Sequence, residues 1–449
     1  MVVVVVVALA ATASSVIQVV RERARLAHLD GVPGVVSPIV GPVNELWATD
    51  RQPDLAGARE IGGVLVDTWR EPTGTVARGI DPQTGLEVWS RPLERTGSHA
   101  SRCVVADGPV SGPDRAVLVC LVVDAVTTAA DAAGSAEGVI GGAVDARSVP
   151  TQVHLDVLDP RTGAVLSTLP AAPTVTIAGM AADIVVSSAL PGGAEVARVD
   201  PRTGRARWTV DVTSPTVDGT EAQAPAVEVF GDHVEVDAGA QVWDLSGSGV
   251  VLAHWSGLPT STTWSTWRTT GGHLLRATFA PFGGDVTVTD LTTGARIVTT
   301  GTVRGLVGVD DGSAPDLLLV GGARLTAWDL ATGAERWQVE GAADSVVVLG
   351  GTVYSVSSGA LRAVDAETGA VRWTSRNHYG PTPTLETDGQ TLYVATLSAP
   401  SVDSTLRAVN PSDGSIVWTS PLTGGSVSLL ELAGRLFTTT PGGRLVALG

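Results

Sequence analysis

The sequence predicts an all-β fold assembled from a repeated four-stranded unit. Three observations predict it. A short apolar strand, then Asp-x-x-Thr-Gly, then a second strand that often ends in Trp recurs along the chain. A hairpin-forming stretch precedes this motif, as in Ser345–Val356, Leu385–Thr396 and Leu429–Thr440. The 449 residues include 53 Gly and 26 Pro and are rich in Val and Thr, which suits many strands joined by tight turns. Hydrophobic residues make up 44%, enough to bury a large core. Four-stranded units repeating at intervals of about 40 residues build a β-propeller, here one of eight to nine blades.

Residues 1–25 read as an N-terminal transmembrane anchor or a signal segment. Val2–Val20 is an uncharged, mostly apolar run, and as a helix it reaches roughly 28 Å against a hydrocarbon thickness of about 30 Å. Arg21-Glu22-Arg23-Ala24-Arg25 follows at once. Taken literally, the positive-inside rule holds these arginines in the cytoplasm. A basic leader ahead of Met1 would reverse this and place the bulk of the chain outside. Ala11-Thr12-Ala13 supports the alternative of a cleaved signal. The expectation is a single-pass membrane protein with an extracytoplasmic propeller. Residues 26–43, with the Pro/Gly-rich stretch Gly31–Pro42, are expected to form a stalk, and residues 44–449 the propeller.

The clearest copies of the motif are Ala77–Trp89, with Asp81 and Thr84-Gly85, and Ala197–Trp208, with Asp200 and Thr203-Gly204. Leu325–Trp337 and Leu361–Trp373 repeat it, and Leu406–Trp418 carries Asn410 and Asp413-Gly414 instead. Asp159–Gly163, Asp244–Gly249 and Asp290–Gly294 are weaker copies. Asp accepts backbone N–H bonds in the turn, Thr adds a side-chain bond, and Gly supplies the positive φ of the reversal. Trp is large enough to fill the wedge between neighbouring sheets. The chain stops after a strand half, Gly443–Leu448, while Asn44-Glu45-Leu46-Trp47-Ala48 looks like an orphan fourth strand. Pairing the two would close the ring and cover its edges. Nine copies can be counted; eight blades would follow if a weak copy near Asp244 or Asp290 folded differently.

The repeated A-x-D-x-x-T-G-x-x-x-W pattern resembles the PQQ-like β-propeller repeat family over about residues 44–449. That family holds BamB-like assembly scaffolds, quinoprotein alcohol dehydrogenases and extracellular sensor modules. The dehydrogenases would imply a quinone, a calcium ion held by Glu, Asn and Asp, a catalytic Asp and a disulfide between adjacent cysteines. This chain has no adjacent Cys pair and only Asn44, Asn377 and Asn410, so no cofactor and no metal are expected. Its two cysteines, Cys103 and Cys120, lie in strand-like runs that a hairpin could bring together. They are either a disulfide, which an extracytoplasmic site would permit, or two buried thiols.

The net charge is −17, and all 29 basic residues are dispersed Arg, with no Lys. No basic stripe exists to neutralise phosphates, which argues against a nucleic-acid partner. Lys-free, Ala/Val/Gly-rich composition suggests a GC-rich source such as an actinobacterium. The seven His are isolated, and none has metal-ligand spacing. Asp310-Asp311-Gly312-Ser313 fits a hairpin turn better than a calcium loop.

The long segments fall on the loop face opposite the Asp-x-x-Thr-Gly turns: the insertion Asp124–Pro150, then Arg91–Ser98, Ser256–Thr263, Arg376–Thr384 and Ser398–Ser404. Long loops on a rigid frame commonly carry binding. Within them Arg376-Asn377-His378-Tyr379 mixes charge, amide, imidazole and aromatic groups and is the most site-like run; solvated loop is its plain alternative. Trp264 and Trp267 stand outside the register of the strand-ending tryptophans and could stack a ligand or simply pack. The leading expectation is a non-catalytic scaffold that binds a protein or a cell-envelope polymer. An enzyme would need convergent polar residues on the inner strands, where runs such as Ser345–Leu349 look mostly apolar. A sensor module is the third reading.

Overall fold

A computed structural model describes residues 29, 32–49, 53–71, 74–94, 101–107, 116–128, 148–190, 193–213, 225–238, 241–256, 263–279, 285–303, 306–380, 382–396, 404–422 and 428–449. The apolar run Val2–Val20, the arginines after it and most of the Asp124–Pro150 insertion lie outside these residues. Among the described residues, no helix is long and apolar enough to cross a membrane.

The strands follow one another in nine blades. The chain enters through β1 (Glu45–Ala48). Blade one is β2 (Pro53–Ile61), β3 (Val64–Glu71), β4 (Gly74–Ile80) and β5 (Glu87–Pro92). Blade two is β6 (Arg102–Ala106), β7 (Val117–Thr128), β8 (Ser148–Leu158) and β9 (Val165–Ala171). Blade three is β10 (Thr176–Met180), β11 (Asp183–Leu190), β12 (Gly193–Val199) and β13 (Ala206–Thr213). Blade four is β14 (Ala226–Phe230), β15 (His233–Ala238), β16 (Gln241–Ser246) and β17 (Val251–Ser256). Blade five is β18 (Thr263–Arg268), β19 (Leu274–Phe279), β20 (Asp285–Asp290) and β21 (Arg296–Thr300). Blade six is β22 (Val307–Asp310), β23 (Leu317–Val320), β24 (Arg324–Asp329) and β25 (Glu335–Glu340). Blade seven is β26 (Ser345–Leu349), β27 (Thr352–Ser357), β28 (Ala360–Asp365) and β29 (Val371–Ser375). Blade eight is β30 (Thr384–Thr387), β31 (Leu392–Thr396), β32 (Thr405–Val409) and β33 (Ile416–Pro421). Blade nine is β34 (Ser428–Leu432), β35 (Arg435–Thr439) and β36 (Leu445–Leu448).

Contacts divide the chain into two compact units, Trp47–Thr262 and Met1–Leu46 with Thr263–Gly449. In the first unit, blades one to four are plain antiparallel meanders. Apolar cores fill the spaces between consecutive blades. Val66, Ala77 and Trp89 of blade one meet Leu118 and Cys120 of blade two. Val119 and Val157 of blade two meet Ile177 and Ile184 of blade three, and Val185 and Val196 of blade three meet Val234 and Trp243 of blade four.

The second unit repeats this plan from blade five onward. Its last sheet has the order β1-β36-β35-β34, so the orphan strand does complete the final blade. Asn44 and Gly449 exchange backbone bonds at 2.9 and 3.1 Å.

The count is nine, and the copies at Asp244 and Asp290 both form regular four-stranded sheets. The irregular blade is the one whose motif is clear in sequence, that of Asp329. Its first strand, β22, pairs parallel with β26 of the next blade, leaving β23-β24-β25 as a three-stranded sheet. The segment expected to be a stalk is packed: Leu29 and Val36 are buried, and Leu29, Val32 and Val35 belong to the core of blades seven and eight.

Candidate functional site

The motif residues are consumed by the frame. In blade seven, Asp365 Oδ1 accepts the N–H groups of Glu367 and Thr368 at 3.2 and 2.9 Å, and Gly369 takes φ of 72°. Arg372 donates to the other oxygen at 2.7 Å, and its bond, ahead of those from Thr368, pulls the Asp365 carboxyl down to about 2. Arg336 does the same for Asp329.

The tryptophans do more than fill a wedge. Trp337 donates its indole N–H to Ala366 O in the next blade's turn at 2.9 Å, and Trp373 donates to Pro411 O at 2.9 Å. Trp47, Trp89 and Trp208 reach Pro82, Pro160 and Gly247 in the same way. The acceptor is the residue after the turn-capping one, so in blade four the cap is Ser246 rather than Asp244. Ser246 accepts the Gly249 N–H at its carbonyl, while Asp244 is buried against His233 at 3.1 Å.

Of the sequence-selected run, Arg376 and His378 are exposed, Asn377 is half-buried, and Tyr379 is fully buried in the core. Asn377 donates to Ser375 Oγ at 2.9 Å and to Tyr379 Oη at 3.3 Å. Arg407 lies over the Tyr379 ring at 5.3 Å and donates to His378 O at 3.0 Å. The run is thus a braced strut that offers Arg376 and the imidazole of His378 to solvent. Trp267 packs on the core of blades five and six. Trp264 lies in β18 opposite Thr278, and its side chain lies outside the described residues.

Cys103 and Cys120 face each other across β6 and β7 and are joined as a disulfide. Residues 95–100, 129–147, 257–262, 381 and 397–403 lie outside the described residues, so of the expected loop face the site-like run Arg376–Tyr379 is what can be described. Three histidines that look isolated in sequence pair with carboxylates: His154 with Asp124, His233 with Asp244, and His273 with Asp290 and Asp316.

What sequence reading missed is a polar patch on the first strands of blades eight and nine. Glu386 of β30 and Glu431 of β34 are both half-buried. Burial, then the charge of Glu431, pushes the Glu386 carboxyl up to about 8. Glu431 accepts the Gly434 N–H at 2.6 Å. Beside them, Tyr393 donates to Asp388 at 2.7 Å and accepts the Ile39 N–H at 3.1 Å. The signal was present as single acids in apolar strands, Leu385-Glu386-Thr387 and Leu430-Glu431-Leu432, but only the sheet packing makes them neighbours. At neutral pH Glu386 can hold a proton and donate it. Among the described residues, no group of three His, Cys, Asp or Glu could hold a metal ion. Nor do the residues fit a quinone-and-calcium site: the cysteines join neighbouring strands, Asn377 braces Tyr379, and Asn410 caps a turn.

Residues 283–447 match the family described as outer membrane protein assembly factor BamB. Over that stretch the chain is similar in sequence to this family of repeat proteins. No curated protein matches the sequence. Among solved structures, BamB from Moraxella catarrhalis is 14% identical, covering 90% of this chain and 99% of its own, with a TM-score of 0.39. A quinohemoprotein alcohol dehydrogenase from Pseudomonas putida is 12% identical, covering 95% and 81%, with a TM-score of 0.41. A eukaryotic initiation factor structure is 12% identical, covering 87% and 90%, with a TM-score of 0.48. At these scores the likenesses carry no argument about activity.

Proposed function

We propose that this PQQ-like repeat protein is a non-catalytic binding scaffold, presented outside the cytoplasmic membrane by its N-terminal segment and engaging a protein or a cell-envelope polymer. The observation that carries the binding role is the match of residues 283–447 to the BamB family, a family of assembly factors by its description. The fate of the motif residues supports it, because Asp, Thr, Gly and Trp serve turns and blade junctions rather than chemistry. The Cys103–Cys120 disulfide supports an oxidising location.

The test is photo-cross-linking in intact cells, with a probe at Arg376 or His378 and a control probe at Glu367 in a turn. A discrete partner band at the first two positions and none at the third supports the reading; equal labelling at all three overturns it. Protease added to intact cells should digest the propeller if it lies outside.

One observation favours an enzyme instead, the Glu386–Glu431 pair with a carboxyl that stays protonated near neutrality. Its test is whether Glu386→Gln changes a turnover without changing partner cross-linking.

A further inference from the structure

Blade six departs from the plan of the others. Its first strand begins at home: Thr302 and Gly321 exchange backbone bonds at 2.6 and 2.9 Å in an antiparallel bridge. By β22 the chain has crossed to blade seven, with Val307 opposite Val346, Val309 opposite Val347 and Asp310 opposite Val348. Continuing the starting register would instead place Leu306 opposite Leu317 and complete a four-stranded sheet. Parallel pairing is slightly weaker per residue than antiparallel pairing, and Gly308 weakens the strand further. Something else must hold β22 where it is.

Two sets of contacts do so. The hairpin loop after β22 is bonded to the turn of blade seven, Gly350 N–H to Asp311 Oδ2 at 2.7 Å and Gly351 N–H to Ser313 Oγ at 2.8 Å. The N-terminal segment supplies the rest. Leu29 shares one core cluster with Val309, Val347 and Leu385. Gly34, at φ of 84°, is pressed so closely on β22 that a Cβ there would lie 2.7 Å from Gly308 O and 3.0 Å from Val309 Cγ2. The segment is fixed to blades eight and nine: Val35 bridges Thr387, Val36 N–H bonds Thr387 O at 2.9 Å, Ser37 N–H bonds Gly434 O at 2.6 Å, and Ile39 N–H bonds Tyr393 Oη at 3.1 Å.

We infer that Leu29, the Val32–Ile39 strap and β22 form a latch. With the strap seated, β22 is held on β26. With the strap withdrawn, β22 leaves β26 and pairing zips on from the Thr302–Gly321 bridge to the open edge of β23. Tension or displacement at the N-terminal segment is thereby converted into a change of strand partner six blades along the chain from β1. The latch does not depend on what the propeller binds.

The test is amide hydrogen exchange on the full chain, comparing the wild type with Gly34→Val, which forces the strap off Gly308, and with the milder Leu29→Ala. The latch predicts opposite changes of about tenfold in two places: faster exchange in Val346–Val348, which lose β22, and slower exchange in Leu317–Val320, which gain it. Exchange in blade three reports whether the fold is intact. Should Gly34→Val speed exchange everywhere, Leu29→Ala decides alone. Unchanged exchange at both places, or faster exchange at both, overturns the latch.

Discussion

Gly369 shows how much a single position can carry. Its φ of 72° lies in the left-handed region, and a Cβ there would sit 2.6 Å from Trp337 Cβ and Cγ. That proximity is what lets the Trp337 indole reach Ala366 O. Gly369→Ala should therefore lower stability by about 1–3 kcal/mol, through backbone strain and a displaced indole. Gly350→Ala shares the positive φ, at 57°, but has open space around it, and should lose less. Urea unfolding of the two variants checks the order. Glu386 makes a prediction of the other kind. Its carboxyl is raised to about 8 by burial and by Glu431, so the folded state keeps a proton that the unfolded chain releases. Stability then falls as pH rises from the ordinary carboxyl range to about 8 and is flat beyond it. Glu386→Gln should flatten that slope, as read from unfolding midpoints across pH; an unchanged slope would show that Glu386 is not its source. The turn residues were legible in sequence because Asp, Thr and Gly act within a few residues of one another. Glu386 and Glu431 were not, because their coupling arises only where two blades pack.

At the scale of elements, the local pattern set the hairpins and their order, and the Asp244 and Asp290 copies formed sheets despite their weak motifs. In blade four Ser246 replaces the capping Asp with a different bond, its hydroxyl accepting the Val250 N–H at 3.1 Å. Blade six was illegible for the opposite reason. Its motif is intact, and its first strand sits on the next blade through contacts remote in sequence, with the turn of blade seven and with the segment at the start of the chain. The same division applies to the cysteines. A hairpin that brings them together was readable, whereas their bonding depended on a register that places Cys103 opposite Cys120. The disulfide closes a separation of 17 residues. By loop-closure entropy this is worth about 3 kcal/mol. The double variant Cys103→Ala/Cys120→Ala should lose roughly that amount, an order-of-magnitude expectation, and should become insensitive to reductant. Wild type in reductant should approach the variant; if reductant leaves the wild-type midpoint unmoved, the bond contributes nothing to stability.

For the whole molecule the informative strand is β1. It is remote in sequence from the blade it completes, yet its recognition needed only an unpaired Trp-ending strand at one end and an unfinished repeat at the other. The strap just before it carries no such signal: Val, Pro and Gly without periodicity read as a linker, yet Leu29 and Val36 are buried in the fold. β1 has two kinds of contact. It is the fourth strand of the final sheet, and its Trp47 donates to Pro82 O at 3.2 Å in the first blade's turn, packed against Gly85. Replacing Trp47 by Phe keeps the ring but removes the donor, leaving the Pro82 carbonyl short of a buried partner at a cost of about 1–3 kcal/mol. Replacing Leu46 by Pro attacks the other role, since proline removes a backbone N–H and resists the interior of a paired strand. If β1 is a true closing strand, both substitutions should lower the midpoint of one cooperative transition. If β1 merely lies against a self-sufficient blade, Leu46→Pro should speed exchange only in Leu445–Leu448 and leave the midpoint where it was.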